Sequence, residues 1–260
     1  MATETQVLPR EFPGLLQPQT TSKISFPNAL NRPQSDPEIH YRIGTQEYSD
    51  RDVDFWELRA SRRALANLKT LLYGTPMLDL VKAQCEQGDI YFKSLLAASK
   101  DCWHECRTDM HVISVGVRDV MDARKKLLTM KNRERVLRTL LPAHPEHYAK
   151  PACEGQEGVI EVIGEHMMSL RMVVTDDVPD FVRAYADPAY PFKKPTVVKL
   201  QDGTTAYYIL HEFRDVEDGC KLRLRVVFPA AAPEIMFSEH AEHMAIEFRF
   251  GVKTIHADFF

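Results

Sequence analysis

The residues best suited to metal chemistry lie near the C-terminus, in the segment Ser238–Phe248. If this segment is helical, His243 and Glu247 are four residues apart and project from one face about one turn apart, and His240 lies on the same face. An imidazole and a carboxylate at this separation can bind one metal ion, by the geometry that makes H-E-x-x-H a zinc site. The spacing is also common in surface pairs, so a metal site needs further ligands from elsewhere in the chain.

Two other segments offer nitrogen and oxygen ligands for such a site. A catalytic zinc site takes about three protein ligands and keeps one position open for water. The segment His144-Pro-Glu-His147 supplies two imidazoles, and a predicted strand supplies the carboxylate of Glu161. Either histidine could be the metal ligand, because both offer an imidazole nitrogen.

The strand around Glu161 places this carboxylate on an apolar face. Glu161 alternates with Val159 and Ile163, so it is expected to point into the core. A carboxylate there is costly unless it is paired or bound to a cation. The alternative to a metal is an ion pair with an arginine such as Arg171 or Arg225.

Four segments, taken in order, resemble the family of phloretin hydrolase and 2,4-diacetylphloroglucinol hydrolase over about residues 140 to 260. The order of the segments carries the resemblance. They are a His-Pro segment, a strand with an inward Glu, a His-Arg-Gly pattern before a strand with spaced arginines, and a helical His-x-x-x-Glu: His144–His147, Val159–Gly164, His211–Arg225 and His243–Glu247. The chain departs from the family in lacking a tryptophan-rich segment before the His-Pro motif, and in a His-Pro segment one residue shorter before its second His.

The resemblance implies a zinc ion held by His147, Glu161, His243 and Glu247. It implies hydrolysis of the carbon–carbon bond between an acyl group and a polyhydroxylated aromatic ring, in phenolic or polyketide secondary metabolism. Members of this family have a fold similar to the Bet v 1 helix-grip fold, so the resemblance implies that fold here. The expected substrate is therefore a small phenolic or polyketide molecule.

Such a reaction needs donors for the phenolic oxygens and a general acid near the ring carbon. Tyr207, Tyr208 and His211 are the candidates, from the strand before the last hairpin. Alternation puts Tyr207 and His211 on one face and Tyr208 on the other, and ordinary strand packing is the alternative for all three.

Two other functions fit the same residues. A metal-free polyketide cyclase, isomerase or dehydratase would use His211, His240 and His243 as acid–base groups in the same cavity. A non-catalytic small-molecule-binding or interaction protein would use the N-terminal half as its partner surface, and would show neither turnover nor metal.

The elements that would position these residues change character near residue 142. Residues 1–38 form a Pro-rich tail without periodicity. Residues 39–141 are predicted to be mainly helical, with Gly74 and Pro76 ending a first helix and a basic helix running from about 117 to 140. Residues 142–260 alternate at strand period, with turns at Asp202-Gly203 and Asp218-Gly219, and end in a helix over about 234–256.

This order predicts an α+β fold in which a curved antiparallel sheet grips a long C-terminal helix, with a cavity for a small molecule between them. The chain has 260 residues, a 44% hydrophobic share and a net charge of −4, which disfavour disorder and a global attraction to nucleic acid. No apolar run is long enough to span a membrane, and no secretory signal begins the sequence, so a cytoplasmic protein is expected. A homodimer is compatible with the sequence.

Overall fold

The computed structural model describes residues 39–122, 132–151 and 157–259. The predicted tail, residues 1–38, lies outside these ranges. The chain forms two compact units, residues 1–56 and 57–260. In the first unit, an antiparallel hairpin of β1 (Tyr41–Ile43) and β2 (Gln46–Tyr48) precedes the start of α1 (Asp50–Leu71). Ser49 caps that helix, since its hydroxyl accepts the Asp52 amide and the Asp52 carboxylate accepts the Ser49 amide in return.

The second unit contains the rest of α1 and the helix α2 (Thr75–Ser99). α1 ends before Gly74, as predicted, and Gly74, with φ of 88°, makes the turn between the helices. Pro76, also predicted to end the first helix, instead lies in the first turn of α2. The backbone of α2 packs directly on a strand at Gly88, where a Cβ would come within 2.1 Å of the Met167 carbonyl oxygen. Only glycine permits this approach.

Seven strands form one curled antiparallel sheet in the order β3-β9-β8-β7-β6-β5-β4. Every pairing within it is antiparallel, which confirms the prediction for the second half of the chain. The strand bounds are β3 Trp103–Ile113, β4 His147–Ala149, β5 Glu157–Ile163, β6 His166–Val174, β7 Phe192–Lys199, β8 Thr205–Val216 and β9 Gly219–Pro229.

The strand β3 lies within residues 39–141, the region predicted to be mainly helical, and was not predicted. It pairs with β9 along its whole length, from Trp103 opposite Pro229 to Ile113 opposite Gly219. Cys106 and Val112, six positions apart, are buried on one face, whereas Arg107, Asp109 and His111 on the other face are exposed. The strand lies at the sheet edge, and its many charged residues hide this alternation from the sequence.

Short helices connect β3 to β4. They are α3 (117–122), α4 (Asn132–Arg135), a π-helical segment (Val136–Leu140) and α5 (Leu141–Ala143). The predicted basic helix over 117–140 is helical at both ends, and its residues 123–131 lie outside the described ranges. These helices bring the chain to β4 at the far edge of the sheet from β3.

Two long helices fill the concave side of the sheet. The C-terminal helix α7 (Glu234–Phe259) buries Met236 and Met244 against the strands, as predicted. The helix α2 buries Phe92, whose ring centroid lies 6.0 Å from that of Tyr207 and 6.4 Å from that of Phe228. The predicted fold has α7 in the concave space and assigns no position to α2, so α2 reduces the room left for a ligand.

The opposite, convex face is covered by the connection between β6 and β7, which carries α6 (Asp180–Arg183). Phe181 on this connection stacks on Trp103, with ring centroids 5.6 Å apart. Among the described residues, no helix is long and apolar enough to cross a membrane.

Candidate metal centre

The helix α7 presents its chemically active residues to the sheet. His240 and His243 are buried, with 7% and 5% of their surface exposed, and Glu247 follows His243 by one helical turn. Spacings of three and four residues put all three on one helical face. The helical His-x-x-x-Glu pair therefore points into the interior rather than to solvent.

The edge strand β4 and its neighbour β5 supply the opposing groups. His147 on β4 stands directly opposite Glu161 on β5, so their side chains emerge on the same face of the sheet. Glu161 is 6% exposed and His147 5% exposed. The inward direction predicted for Glu161 is correct.

These side chains converge on one point under α7. The Nε2 atom of His147 lies 3.1 Å from Nε2 of His243 and 3.2 Å from Oε2 of Glu161. Oε2 of Glu161 is 3.7 Å from Nε2 of His243. Glu247 joins this group, with a carboxylate oxygen within 4.8 Å of ligand atoms of both histidines. The structure brings together all four residues named as ligands.

Of the two histidines in the His-Pro segment, His147 is the one whose free nitrogen faces the group. Its Nδ1 donates a hydrogen bond to the Leu140 carbonyl at 2.8 Å, which directs Nε2 toward Glu161 and His243. This second hydrogen bond is typical of metal-binding histidines. His144 instead stacks on His243, with ring centroids 3.7 Å apart, and its Nδ1 accepts the Glu146 amide.

Burial and mutual charge shift the protonation of the group. Burial disfavours protonation of His147, but the hydrogen bond and charge of Glu161 outweigh it and raise the pKa of His147 to about 9. Burial would raise the pKa of Glu161, but His147 and His243 lower it. Burial lowers the pKa of His240 and of His144 to about 4, so both rings are neutral near pH 7. Without a cation, the carboxylate of Glu161 is thus neutralised by a protonated His147.

A cavity of about 80 Å³ adjoins these four residues and is lined by Tyr207 and His211 as well. The Tyr207 hydroxyl donates to Oε1 of Glu161 at 3.4 Å, and burial followed by the Glu161 charge raises the Tyr207 pKa well above its usual value. The ring of His211 packs edge-on against Phe248 on α7, with centroids 4.9 Å apart. Two of the three predicted catalytic residues therefore reach the cavity.

Tyr208, the third predicted catalytic residue, does not line the cavity, and this prediction is wrong. Strand alternation turns its side chain to the convex face, where it packs against Trp103 and Phe181 at centroid distances of 5.2 and 5.5 Å. The sheet itself separates Tyr208 from the histidine group.

The arginines considered as partners of Glu161 are engaged elsewhere. Arg225 pairs with Glu212 and Glu105 on the convex face. Arg171 donates to the carbonyls of Leu200 and Gln201. Glu161 is left with histidines and a tyrosine as its neighbours.

A buried lysine that was not predicted as a functional residue holds the His-Pro segment in place. Lys69 on α1 is 4% exposed, and its Nζ donates to the carbonyls of Leu141 and His144 at 2.9 and 3.1 Å. Nothing in the local sequence distinguishes this lysine from the other basic residues of α1, because its partners are more than 70 residues away.

No protein-family model matches the chain, and no curated protein matches it. Solved structures do match, among them the crystal structure of Ara h 8.0201, with 12% identity and a TM-score of 0.40. The match covers 60% of this chain and all of that one. The α+β helix-grip class predicted from the sequence is confirmed by the elements from β3 onward: one strand, short helices, six antiparallel strands and a terminal helix. This likeness concerns the fold and is silent on function.

Proposed function

We propose that this protein is a zinc-dependent hydrolase that cleaves the carbon–carbon bond between an acyl group and a polyhydroxylated aromatic ring. The observation that carries the proposal is the convergence of His147, Glu161, His243 and Glu247 on one buried point. Zinc is the proposed cofactor, and a small phenolic or polyketide molecule is the proposed substrate. The cytoplasmic location and a homodimer remain predictions from the sequence.

The donor set suits zinc in type and in charge. Two imidazole nitrogens and two carboxylate oxygens are ligands that Zn²⁺ accepts at about 2.0–2.2 Å. The two carboxylates balance the charge of the ion, which matters in a site this buried. The hydrogen bond from His147 Nδ1 to the Leu140 carbonyl already sets the orientation that a ligand ring needs. Zinc in this position would polarise an acyl carbonyl and lower the pKa of water.

The chain's own residues would supply the rest of the chemistry. Tyr207 keeps its proton, because burial raises its pKa. Its hydroxyl can exchange the 3.4 Å bond to Glu161 for a hydrogen bond to an oxygen of the substrate. His211 lines the same cavity and is the proposed general acid for the ring carbon. The ring carbon can leave only if the ring forms its keto tautomer, and this requires free hydroxyls beside the acyl group.

The size of the cavity limits how the substrate is held. At about 80 Å³ it is well below the roughly 300–1,000 Å³ of pockets that enclose a drug-sized ligand. It would hold the acyl end of a substrate, with the ring toward the cavity mouth. The substrate class itself rests on the resemblance of the four ordered segments between about residues 140 and 260.

The test combines metal analysis with a matched substrate panel. Purified protein is assayed for zinc, stripped with a chelator, and reloaded. Mono-, di- and triacylated phloroglucinols and their O-methyl ethers are then offered to each form. We expect about one zinc per chain, and release of a carboxylic acid and the free phenol by the loaded form only. Fully methylated ethers should not react.

Two variants on the same helix provide the control. Glu247→Gln removes a proposed ligand charge and should lower the rate at least about 100-fold. Glu242→Gln makes the same change at an exposed position and should leave the rate unchanged. Equal turnover of the fully methylated ether would overturn the mechanism. A chain without zinc that still converts a polyketide would favour a cyclase or isomerase using His211 and His240. No metal and no turnover would favour a binding protein.

A further inference from the structure

A second, larger concave site lies on the other side of the wall formed by α5 and the His-Pro segment. It is a groove of about 570 Å³ between α1, α5 and α7. Leu141 and His144 lie in its wall, and His144 stacks on the ligand candidate His243. The groove also has an apolar lining suited to an organic body: Leu65, Leu137, Leu141, Ile246 and Phe250.

The charged residues of this groove are all of one sign. Five of its lining residues are basic: Arg62, Lys69, Arg138, Arg249 and Lys253. No acidic residue lines it in the described part of the chain, although the protein as a whole carries a net charge of −4. Arg138 is within 3.5 Å of Glu134 on the neighbouring helical turn, outside the groove lining. A concave surface with this concentration of positive charge attracts anions.

Lys69 gives the groove a buried cation as well as exposed ones. Its side chain is 4% exposed and bonds two backbone carbonyls, and within the described ranges no carboxylate forms an ion pair with it. Buried lysines are rare unless they are paired with a negative group. Burial lowers the pKa of Lys69 to about 8, although the charge of Glu146 partly opposes this shift, and a bound anion would favour the charged form further.

We propose that this groove binds an amphipathic organic anion, with an apolar body against the leucines and Phe250 and a carboxylate or sulfonate among the basic side chains. A single enclosed groove between three helices suits a small molecule better than a nucleic acid, which is bound along an extended basic surface with several stacking rings. The apolar lining separates such a ligand from a simple inorganic anion. The proposal does not depend on zinc, because none of the four candidate ligands lines the groove.

The test uses two probes of the same shape. Naphthalene-2-carboxylate and its neutral carboxamide are titrated calorimetrically into metal-free protein at low salt. We expect the carboxylate to bind at least about tenfold more tightly than the amide, and this ratio to fall as salt is raised. Equal affinity of the two probes would overturn the proposal. Inorganic phosphate binding as tightly as the naphthoate would overturn the amphipathic part.

Paired charge-removing variants locate the binding. The double variant Arg249→Gln/Lys253→Gln changes two exposed groove residues and should bring the affinity ratio of the two probes close to one. The control double variant Lys82→Gln/Lys221→Gln removes the same charge outside the groove and should keep the ratio. If both double variants weaken the naphthoate equally, the binding is nonspecific and the groove is not the site. The titration uses metal-free protein and a probe that has no acyl–aryl ketone to cleave, so failure of the hydrolase proposal and failure of this one are distinguishable.

Discussion

Glu161 and Glu212 are both buried carboxylates on one sheet, but they lie on opposite faces and have different partners. On the convex face, Glu212 is fully buried and pairs with Arg225, whose Nε also lies 2.7 Å from Glu105. The Asp187 amide donates to the other oxygen of Glu212 at 2.8 Å. On the concave face, Glu161 meets His147, His243 and Tyr207.

The two pairs differ in whether the basic partner can lose its proton. A guanidinium remains charged at every accessible pH and offers no lone pair to a metal ion. The Glu212–Arg225 pair therefore has a structural role only. An imidazole can lose its proton and offer a lone pair to a metal ion. Buried acids paired with arginine therefore indicate structure, and buried acids paired with several histidines indicate a site.

The largest effect should come from breaking the convex pair. Glu212→Gln removes the fully buried carboxylate of this pair and leaves Arg225 with the partly exposed Glu105 alone. It should lower the free energy of unfolding by about 3 kcal/mol. Denaturant unfolding measures this, with Glu217→Gln as the exposed control on the same strand hairpin. Zinc content of the folded variant should match the wild type. A loss below about 1 kcal/mol would mean that Glu212 does not anchor this face.

On the concave face, a substitution should lower zinc affinity rather than the stability of the fold. His243→Ala removes one of four proposed ligands and should weaken zinc binding at least about 100-fold, which corresponds to about 2.7 kcal/mol. Competition with a chelator measures the affinity, and circular dichroism reports whether the fold is kept. Unchanged zinc affinity would contradict the assignment of His243.

The adjacent residues Tyr207 and Tyr208 on β8 lie on opposite faces of the sheet, so the same substitution at each compares the two faces. Tyr207→Phe removes the hydroxyl that bonds Glu161 and should slow turnover about tenfold, on the scale of an outer hydrogen bond to a metal ligand. Tyr208→Phe changes the convex neighbour and should leave turnover unchanged. If Tyr208→Phe slowed turnover and Tyr207→Phe did not, the reaction would take place on the convex face, and the proposed site would be wrong.

The smallest effect concerns Lys69 and the dependence of stability on pH. The pKa of Lys69 is about 8 in the folded protein and near 10.4 in the unfolded chain, so between these values the unfolded state binds more protons. The free energy of unfolding should therefore rise with pH in this window, by less than the ~1.4 kcal/mol per pH unit of one full proton.

The Lys69→Met variant isolates this contribution, because it removes the titrating group and keeps an unbranched chain. Unfolding of both proteins is measured from about pH 7.5 to about pH 10.5, in steps of about half a pH unit. The wild type should gain stability relative to the variant as pH rises. Parallel curves would show that Lys69 titrates normally.

The sequence by itself determined the features that depend on local periodicity. The order of the strands β5 to β9, their antiparallel hairpins and the long C-terminal helix follow from spacing and turn residues. So does the shared face of His240, His243 and Glu247, and the placement of Tyr207 and Tyr208 on opposite faces. Each of these needs only the repeat of one element, which neighbouring residues impose through backbone geometry.

Only the tertiary structure decided which elements meet. The pairing of β3 with β9, the entry of α2 into the concave side, and the choice of His147 over His144 as the ring that faces Glu161 depend on contacts between distant segments. The same holds for Lys69, whose partners lie more than 70 residues away. The free energy of such contacts comes from burial and hydrogen bonding between elements, so no local pattern of residue types can encode which partner is chosen.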